Sequence, residues 1–267
     1  MKLRTSCDLQ FDVSVPAPFV LMLRPCSGAR QWIAKEEYQI SPRVPVHEFT
    51  DDYGNFCQRL VAPVGRFSIH TAAEVYIADM LMRAPAAPFI EIQELPNYVL
   101  KYLLPSRYCE AEHFGQLATE ITAGQIPGYN QVSAIEAWIR ASLHYDSRFS
   151  DLFASAAEVN IRQYGVCRDF AHLGIALCRS ISIPARMVVG YLHALEPMDL
   201  HAWFEAYIGG NWYTFDATQP YLRSGYVVLG IGRDAADVAV YNQFGPPVSP
   251  VSQIVTVQCI DKTPPET

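Results

Sequence analysis

The chain has 267 residues, 50% of them hydrophobic and 18% charged, with a formal net charge of −7. That apolar fraction supports a folded core and excludes overall disorder, and the acidic balance, with no cluster of Lys and Arg, argues against nucleic acid or an anionic membrane as a partner. Seven scattered cysteines, odd in number and without a C-x-x-C pair, suit reduced thiols better than a disulfide framework or a zinc site.

The length exceeds the usual single domain, so two domains, or one domain with a large extension, are expected. No segment approaches eighteen consecutive apolar residues, and the first residues carry no apolar leader core, so the expected setting is the cytoplasm. Leu3, Thr5, Cys7, Leu9, Phe11, Val13 and Val15 alternate with polar neighbours, which predicts a half-buried strand. Further strand-like runs at 19–23, 31–40, 55–61 and 66–76 are separated by breaks such as Pro25-Cys26-Ser27-Gly28 and Asp51-Asp52-Tyr53-Gly54. Short strands with frequent turns predict an antiparallel β-sandwich over residues 1–95. Asp51 and Asp52 read as a solvated turn and not as a metal site. Pro85, Pro88 and Pro96 mark a connector, set at 96–130, and leave 131–267 as a second domain.

In that second domain Ser133 and Glu136 have the spacing of a capping box, followed by an apolar stripe of Val132, Ile135, Trp138, Ile139 and Leu143 that reads as core. Gln163-Tyr164-Gly165 has no helical period, whereas Phe170, Ala171, Gly174, Ile175, Leu177, Cys178 and Ile181 recur at helical spacing before Pro184. Cys167 therefore falls in a helical first turn, where unpaired N–H groups and the helix dipole favour an anion. The plainer reading is one more buried small hydrophobe. His172 lies about 140° round the same helix and Cys178 roughly 16 Å along it, so neither is placed to act with Cys167.

Ala185–Leu192 reads as a buried strand. Two aromatic-rich runs, 200–208 and 211–218, flank Gly209-Gly210 and read as a hairpin in which Ile208 pairs with Asn211. With that register His201, Trp203, Asp216 and Thr218 share one face, and His201 and Asp216 are diagonal neighbours within hydrogen-bond reach. A three-residue loop would break the parity, and His193 is the rival base. Beyond the hairpin lie a polar turn at 232–238, an alternating strand at 254–260 and a proline- and charge-rich tail from Asp261, expected to fray.

Four blocks carry a resemblance: Gly-Val-Cys-Arg-Asp-Phe-Ala at 165–171, Ile183-Pro184-Ala185-Arg186 with Gly190-Tyr191, His201-Ala202-Trp203, and Trp212-Tyr213-Thr214-Phe215-Asp216-Ala217-Thr218. In this order they resemble the transglutaminase-like superfamily, whose bacterial members are often described as cysteine proteases. Leu23-Arg24-Pro25, Gln31 and Asp52-Tyr53-Gly54-Asn55-Phe56 look like the β domain that precedes the catalytic region there. The resemblance implies an α+β fold: an N-terminal antiparallel β-sandwich-like domain, then a papain-like catalytic domain with helices packed on an antiparallel sheet. It implies Cys167 as nucleophile, His201 as general base and acid, and Asp216 as the residue that holds the imidazole. It also implies acyl transfer through a thioester on a peptide, isopeptide or carboxamide, with no metal or organic cofactor and a peptide or protein as substrate. Water as acceptor makes a protease or amidase, and an amine makes a transglutaminase; family membership leans towards hydrolysis. A non-catalytic scaffold is the rival of a different class, opposed by the intact Cys, His and Asp set. The backbone N–H of Cys167 is a natural oxyanion donor, while Trp138, Tyr145 and Gln163 remain open as side-chain donors, and oligomeric state is not indicated.

Overall fold

The computed structural model describes residues 1–28, 30–149 and 154–261. Six strands come first: β1 (Lys2–Val13), β2 (Ala17–Leu21), β3 (Gln31–Ser41), β4 (His47–Thr50), β5 (Phe56–Ala62) and β6 (Gly65–Ile77). Next are α1 (Asn97–Leu100), α2 (Gly115–Ile121), α3 (Tyr129–Ser142), β7 (His144–Tyr145), α4 (Ala156–Arg162), β8 (Tyr164–Gly165) and α5 (Cys167–Ser180). The chain continues through β9 (Ala185–Leu192), β10 (His201–Ile208), β11 (Asn211–Phe215), β12 (Tyr226–Gly232), β13 (Tyr241–Gln243) and β14 (Pro250–Cys259).

The alternation in β1 buries Leu3, Cys7, Leu9, Phe11 and Val13 on one face. Two antiparallel sheets, ordered β14-β1-β6-β3 and β13-β2-β5-β4, meet across this face. Aromatic rings join them, with Phe11 at 5.2 Å from Phe19 and 5.6 Å from Tyr241 between centroids. Their last strands correct the expected boundary. β14 pairs along β1 from Leu3↔Cys259 to Gln10↔Ser252, and β13 pairs with β2, so the end of the 131–267 region completes the N-terminal sheets. Period two reveals that residues 250–259 are a strand but not which edge they cover; the edge of β1 takes them. The tail beyond Asp261 lies outside the described residues.

A third antiparallel sheet, β11-β10-β9-β12, carries α5 on one face. The approach is close enough that a Cβ on Gly174 would sit 2.5 Å from the Phe204 ring, so glycine is required there. Fixing the start of α5, Asp169 Oδ2 accepts the Val166 N–H at 3.1 Å and the Arg162 guanidinium at 2.7 Å. α3 starts at Tyr129, four residues before the expected Ser133. Its cap is Gly128, whose N–H donates to Gln131 Oε1 at 3.1 Å, and Tyr129 earns its place by packing on Tyr213 and Phe215. Glu136 is thereby released for another task.

The sandwich docks on the third sheet through side chains that imitate a strand. On the outer edge of β12, the Gln31 amide donates to Val228 O at 2.9 Å and accepts its N–H at 2.8 Å. Asn55 does the same at Ile231, at 2.7 and 2.8 Å. Both satisfy backbone groups that an open edge would leave unpaired. Beneath them one buried cluster runs from Leu3 and Phe11 through Leu173 and Phe204 to Val257.

Candidate active site

The hairpin has the expected register: Ile208↔Asn211 closes it, Phe204↔Phe215 ends the ladder, and Gly209 and Gly210 both have positive φ (55° and 86°), as a type I′ turn demands. One residue past the ladder, Asp216 reaches diagonally to His201, whose Nε2 lies 2.6 Å from Asp216 Oδ2. Both side chains are buried, at 3% and 2% exposure, so this contact works in a low dielectric. Burial alone disfavours the imidazolium, but the Asp216 carboxylate and the Cys167 sulfur outweigh it and raise the His201 ring to about 10. Against the same burial, the His201 charge and its hydrogen bonds hold the Asp216 carboxyl below the usual carboxylate range.

Cys167 occupies the first position of α5, after the Val166 cap, and its sulfur lies near enough to the His201 ring to favour the charged imidazolium. It is partly buried and packs at the margin of the main core. Of the three side chains singled out from the sequence, His201 and Asp216 are directly hydrogen-bonded, and the Cys167 sulfur lies in the electrostatic neighbourhood of the ring. Among the described residues no three His, Cys, Asp or Glu side chains form a group able to hold a metal ion. No described helix is long and apolar enough to cross a membrane.

A family model of the transglutaminase-like superfamily matches residues 115–217, a span that contains all three of these residues. A solved structure from Cytophaga hutchinsonii, described as a "Putative Cysteine Protease", is 35% identical and aligns with a TM-score of 0.92, covering 98% of this chain and 92% of that one. This chain belongs to the transglutaminase-like superfamily. An uncharacterized protein of Mycobacterium leprae is 26% identical over 231 residues, 81% of this chain and 82% of its own length. An uncharacterized protein of Mycobacterium tuberculosis is 33% identical over 109 residues, 35% of each chain.

Around the transglutaminase-like core, the other residues raised by the sequence fall into place. His172 is fully buried, stacked on Tyr108 at 5.2 Å, and its Nε2 accepts the Ala235 N–H at 3.2 Å. Burial pushes its imidazole down to about 3, so it stays neutral. Cys109 and Cys178 are buried packing residues, their thiols pushed up by burial. His193 lies just beyond β9, where its N–H donates to Gly225 O at 3.0 Å; His201 is the ring that engages Asp216. Trp138 packs against the core, and Gln163 caps α4 in the left-handed conformation (φ 58°). Tyr145 pairs with Gly165 two residues before the cysteine. Although the side chain is half exposed, partial desolvation and the nearby Cys167 sulfur push its phenol up to about 12.

Four residues that the sequence reading did not single out for the site hold Asp216. The Tyr226 hydroxyl donates to Oδ2 at 2.8 Å, sharing that oxygen with His201. Thr218 donates its N–H and hydroxyl to Oδ1 at 3.1 and 2.6 Å; its place on the face was foreseen but not this role. From α3, Glu136 Oε1 accepts the Asp216 N–H at 2.9 Å, and Arg140 pairs with Glu136 at 3.1 Å while donating to the carbonyls of Asp216 and Gln219. Glu136 and Arg140 are four residues apart on one helix face, a spacing visible in the sequence as an ion pair but silent about what the pair would grip. Trp203 completes the wall, stacked on His201 at 6.0 Å and edge-on to Tyr226 at 4.9 Å.

Proposed function

We propose that this protein is a cysteine-dependent acyl-transfer enzyme that hydrolyses peptide, isopeptide or carboxamide bonds, with Cys167, His201 and Asp216 as its catalytic triad. The observation that carries the reading is the buried imidazole–carboxylate pair of His201 and Asp216, with the Cys167 sulfur beside it at a helix N-terminus. The Cys167 sulfur attacks the carbonyl carbon, and the C–S bond forms as the carbonyl electrons move to oxygen. Collapse of the tetrahedral intermediate expels the amine, which takes its proton from His201 and leaves a thioester. His201 then accepts a proton from water, whose oxygen attacks the acyl carbon, and the C–S bond breaks to return the cysteine. Asp216 holds the ring through Nε2, so the other nitrogen, Nδ1, faces the sulfur. The backbone N–H of Cys167, unpaired in the first turn of α5, is the natural donor to the developing oxyanion.

Water as acceptor is favoured by likeness to the Cytophaga protein described as a cysteine protease. The test is a library of peptides, isopeptides and carboxamides offered with and without a primary amine such as methylamine. Cys167-dependent release of free acid, little diverted by the amine, is the expected result. Predominant N-methylamide product would instead assign amine transfer, and no Cys167-dependent product from any class would overturn the reading.

A further inference from the structure

We propose that a cavity at the His201 end of the β10–β11 hairpin is a subsite for a carboxylate group of the substrate, received by Arg223. Calling the occupant substrate rests on the acyl-transfer reading above. The cavity has a volume of about 270 Å³. Ala194, Leu195 and Glu196, on the loop that leads into β10, form one wall, and Thr218, Gln219 and Arg223, on the loop that leaves β11, form the other. Both loops continue directly from the site: the first delivers His201, and the second contains Thr218, which holds Asp216. Leu195 also packs against the cluster of Trp203 and Tyr226 that lies beside the imidazole.

Arg223 is the unusual feature of this cavity. Arg24, Arg162, Arg186 and Arg233 each meet a carboxylate at 2.6–2.7 Å. Among the described residues no carboxylate comes within 4.0 Å of Arg223. Its Nη2 donates instead to two neutral acceptors, Ala194 O and Gln219 Oε1, each at 3.1 Å. Its Nε is buried and has no hydrogen-bond partner. A donor left in that state carries a desolvation penalty that an arriving acceptor removes, and the planar guanidinium matches a carboxylate in bidentate geometry. Glu196 stands exposed across the cavity and opposes a second negative charge. The site therefore suits a monoanionic carboxylate and disfavours a phosphate.

Cavity volume and position indicate which carboxylate. The space takes one side chain or chain terminus. Thr218 on the cavity wall holds Asp216, which holds His201, so the cavity lies roughly 10 Å from the far edge of the imidazole, a span that an extended peptide covers in about three residues. The carboxylate thus belongs to a residue near the scissile bond but not adjacent to it, such as a glutamyl or aspartyl side chain or a C-terminus.

The test uses the full-length chain with Cys167→Ala, so that no turnover occurs, and follows backbone amides of Leu195 and Gln219 by NMR during titration with N-acetyl-glutamate amide and N-acetyl-glutamine amide. Saturable shifts with the glutamate probe, about tenfold tighter than with the glutamine probe, are expected. Arg223→Gln in the same background should abolish that preference. Equal binding of the two probes, or no saturable shift with either, overturns the proposal. The two-probe comparison on the chain that retains Arg223 decides the matter even where Arg223→Gln impairs folding. Because binding is read without chemistry, a carboxylate-selective cavity in a chain whose Cys167 proves inert would sink the acyl-transfer reading and leave the site standing as an anion site.

Discussion

On the same face of β10, four residues apart, stand two buried ionic groups that look alike and behave differently. His201 meets Asp216 at 2.6 Å, and Glu205 meets Arg186 and Arg30, each at 2.7 Å. Burial works against the Glu205 carboxylate, but the two guanidinium charges outweigh it and hold its carboxyl below the ordinary range. Neither guanidinium can release a proton at any physiological pH, so the Glu205 group is a clamp between the sandwich and the sheet, and Arg186 also lies over the Trp212 ring at 4.0 Å. An imidazole in the corresponding place can give and take a proton. On the proposed function, what separates structure from chemistry on this strand is the titratable partner and a nearby sulfur, and not burial, charge or hydrogen-bond length.

The contrast breaks most sharply by removing each carboxylate. Glu205→Gln leaves two cations sharing a site without a counter-charge and should destabilise the fold by about 3–5 kcal/mol in urea titration, with per-molecule Cys167 alkylation unchanged in whatever remains folded. A loss under 1 kcal/mol would mean that the clamp is dispensable. Asp216→Asn should do the reverse, lowering turnover by about 10²–10³ while the melting temperature moves little. Turnover within about threefold of wild type would remove Asp216 from the triad.

Proton linkage separates the two groups without touching either carboxylate. The His201 ring titrates near 10 in the folded chain and near its ordinary 6.5 when unfolded, so between those values the folded state holds a proton that the unfolded state has released. Its stabilising contribution is complete below about pH 6.5 and is lost as pH rises through about 10. The melting temperature of wild type minus that of His201→Gln should shrink across this window, and a difference that is constant with pH would show that the ring is not held charged. Glu205 and its arginines contribute no slope there. The smallest effect belongs to Tyr226→Phe, which deletes one donor to Asp216 Oδ2 and should cost turnover about three- to tenfold. A change as large as that of Asp216→Asn would give the phenol a role beyond holding the carboxylate.

The two groups also differ in how far the sequence reveals them. The place of Cys167 at a helix start and the approach of His201 to Asp216 were legible because each follows from local rules: a loop-to-helix transition, a Gly-Gly turn that sets parity, and alternation along two strands. Helix α5 and strand β9 were legible for the same reason. Glu205 with Arg30, Gln31 with Val228 and Asn55 with Ile231 join segments more than 170 residues apart, and no periodicity encodes such pairings. Strand β12 escaped because Gly230 and Gly232 interrupt its apolar run. Yet a Cβ on Gly230 would press on Val238 at 3.0 Å and the Asn55 amide at 3.3 Å, so the glycine makes room for the docking. Tyr226 at the start of that strand was missed with it.

The central claim, a nucleophilic Cys167 activated by contact with His201, is tested most directly by iodoacetamide labelling at pH 6 of wild type and His201→Ala, with each cysteine followed by peptide mass mapping. Four of the other thiols, Cys7, Cys57, Cys109 and Cys178, are buried, while Cys26 and Cys259 are exposed and serve as internal standards. Cys167, though less accessible than those two, is expected to label fastest in wild type and to fall to their rate or below in His201→Ala. Labelling of Cys167 no faster than Cys26 and Cys259, or a rate unchanged by His201→Ala, would contradict it.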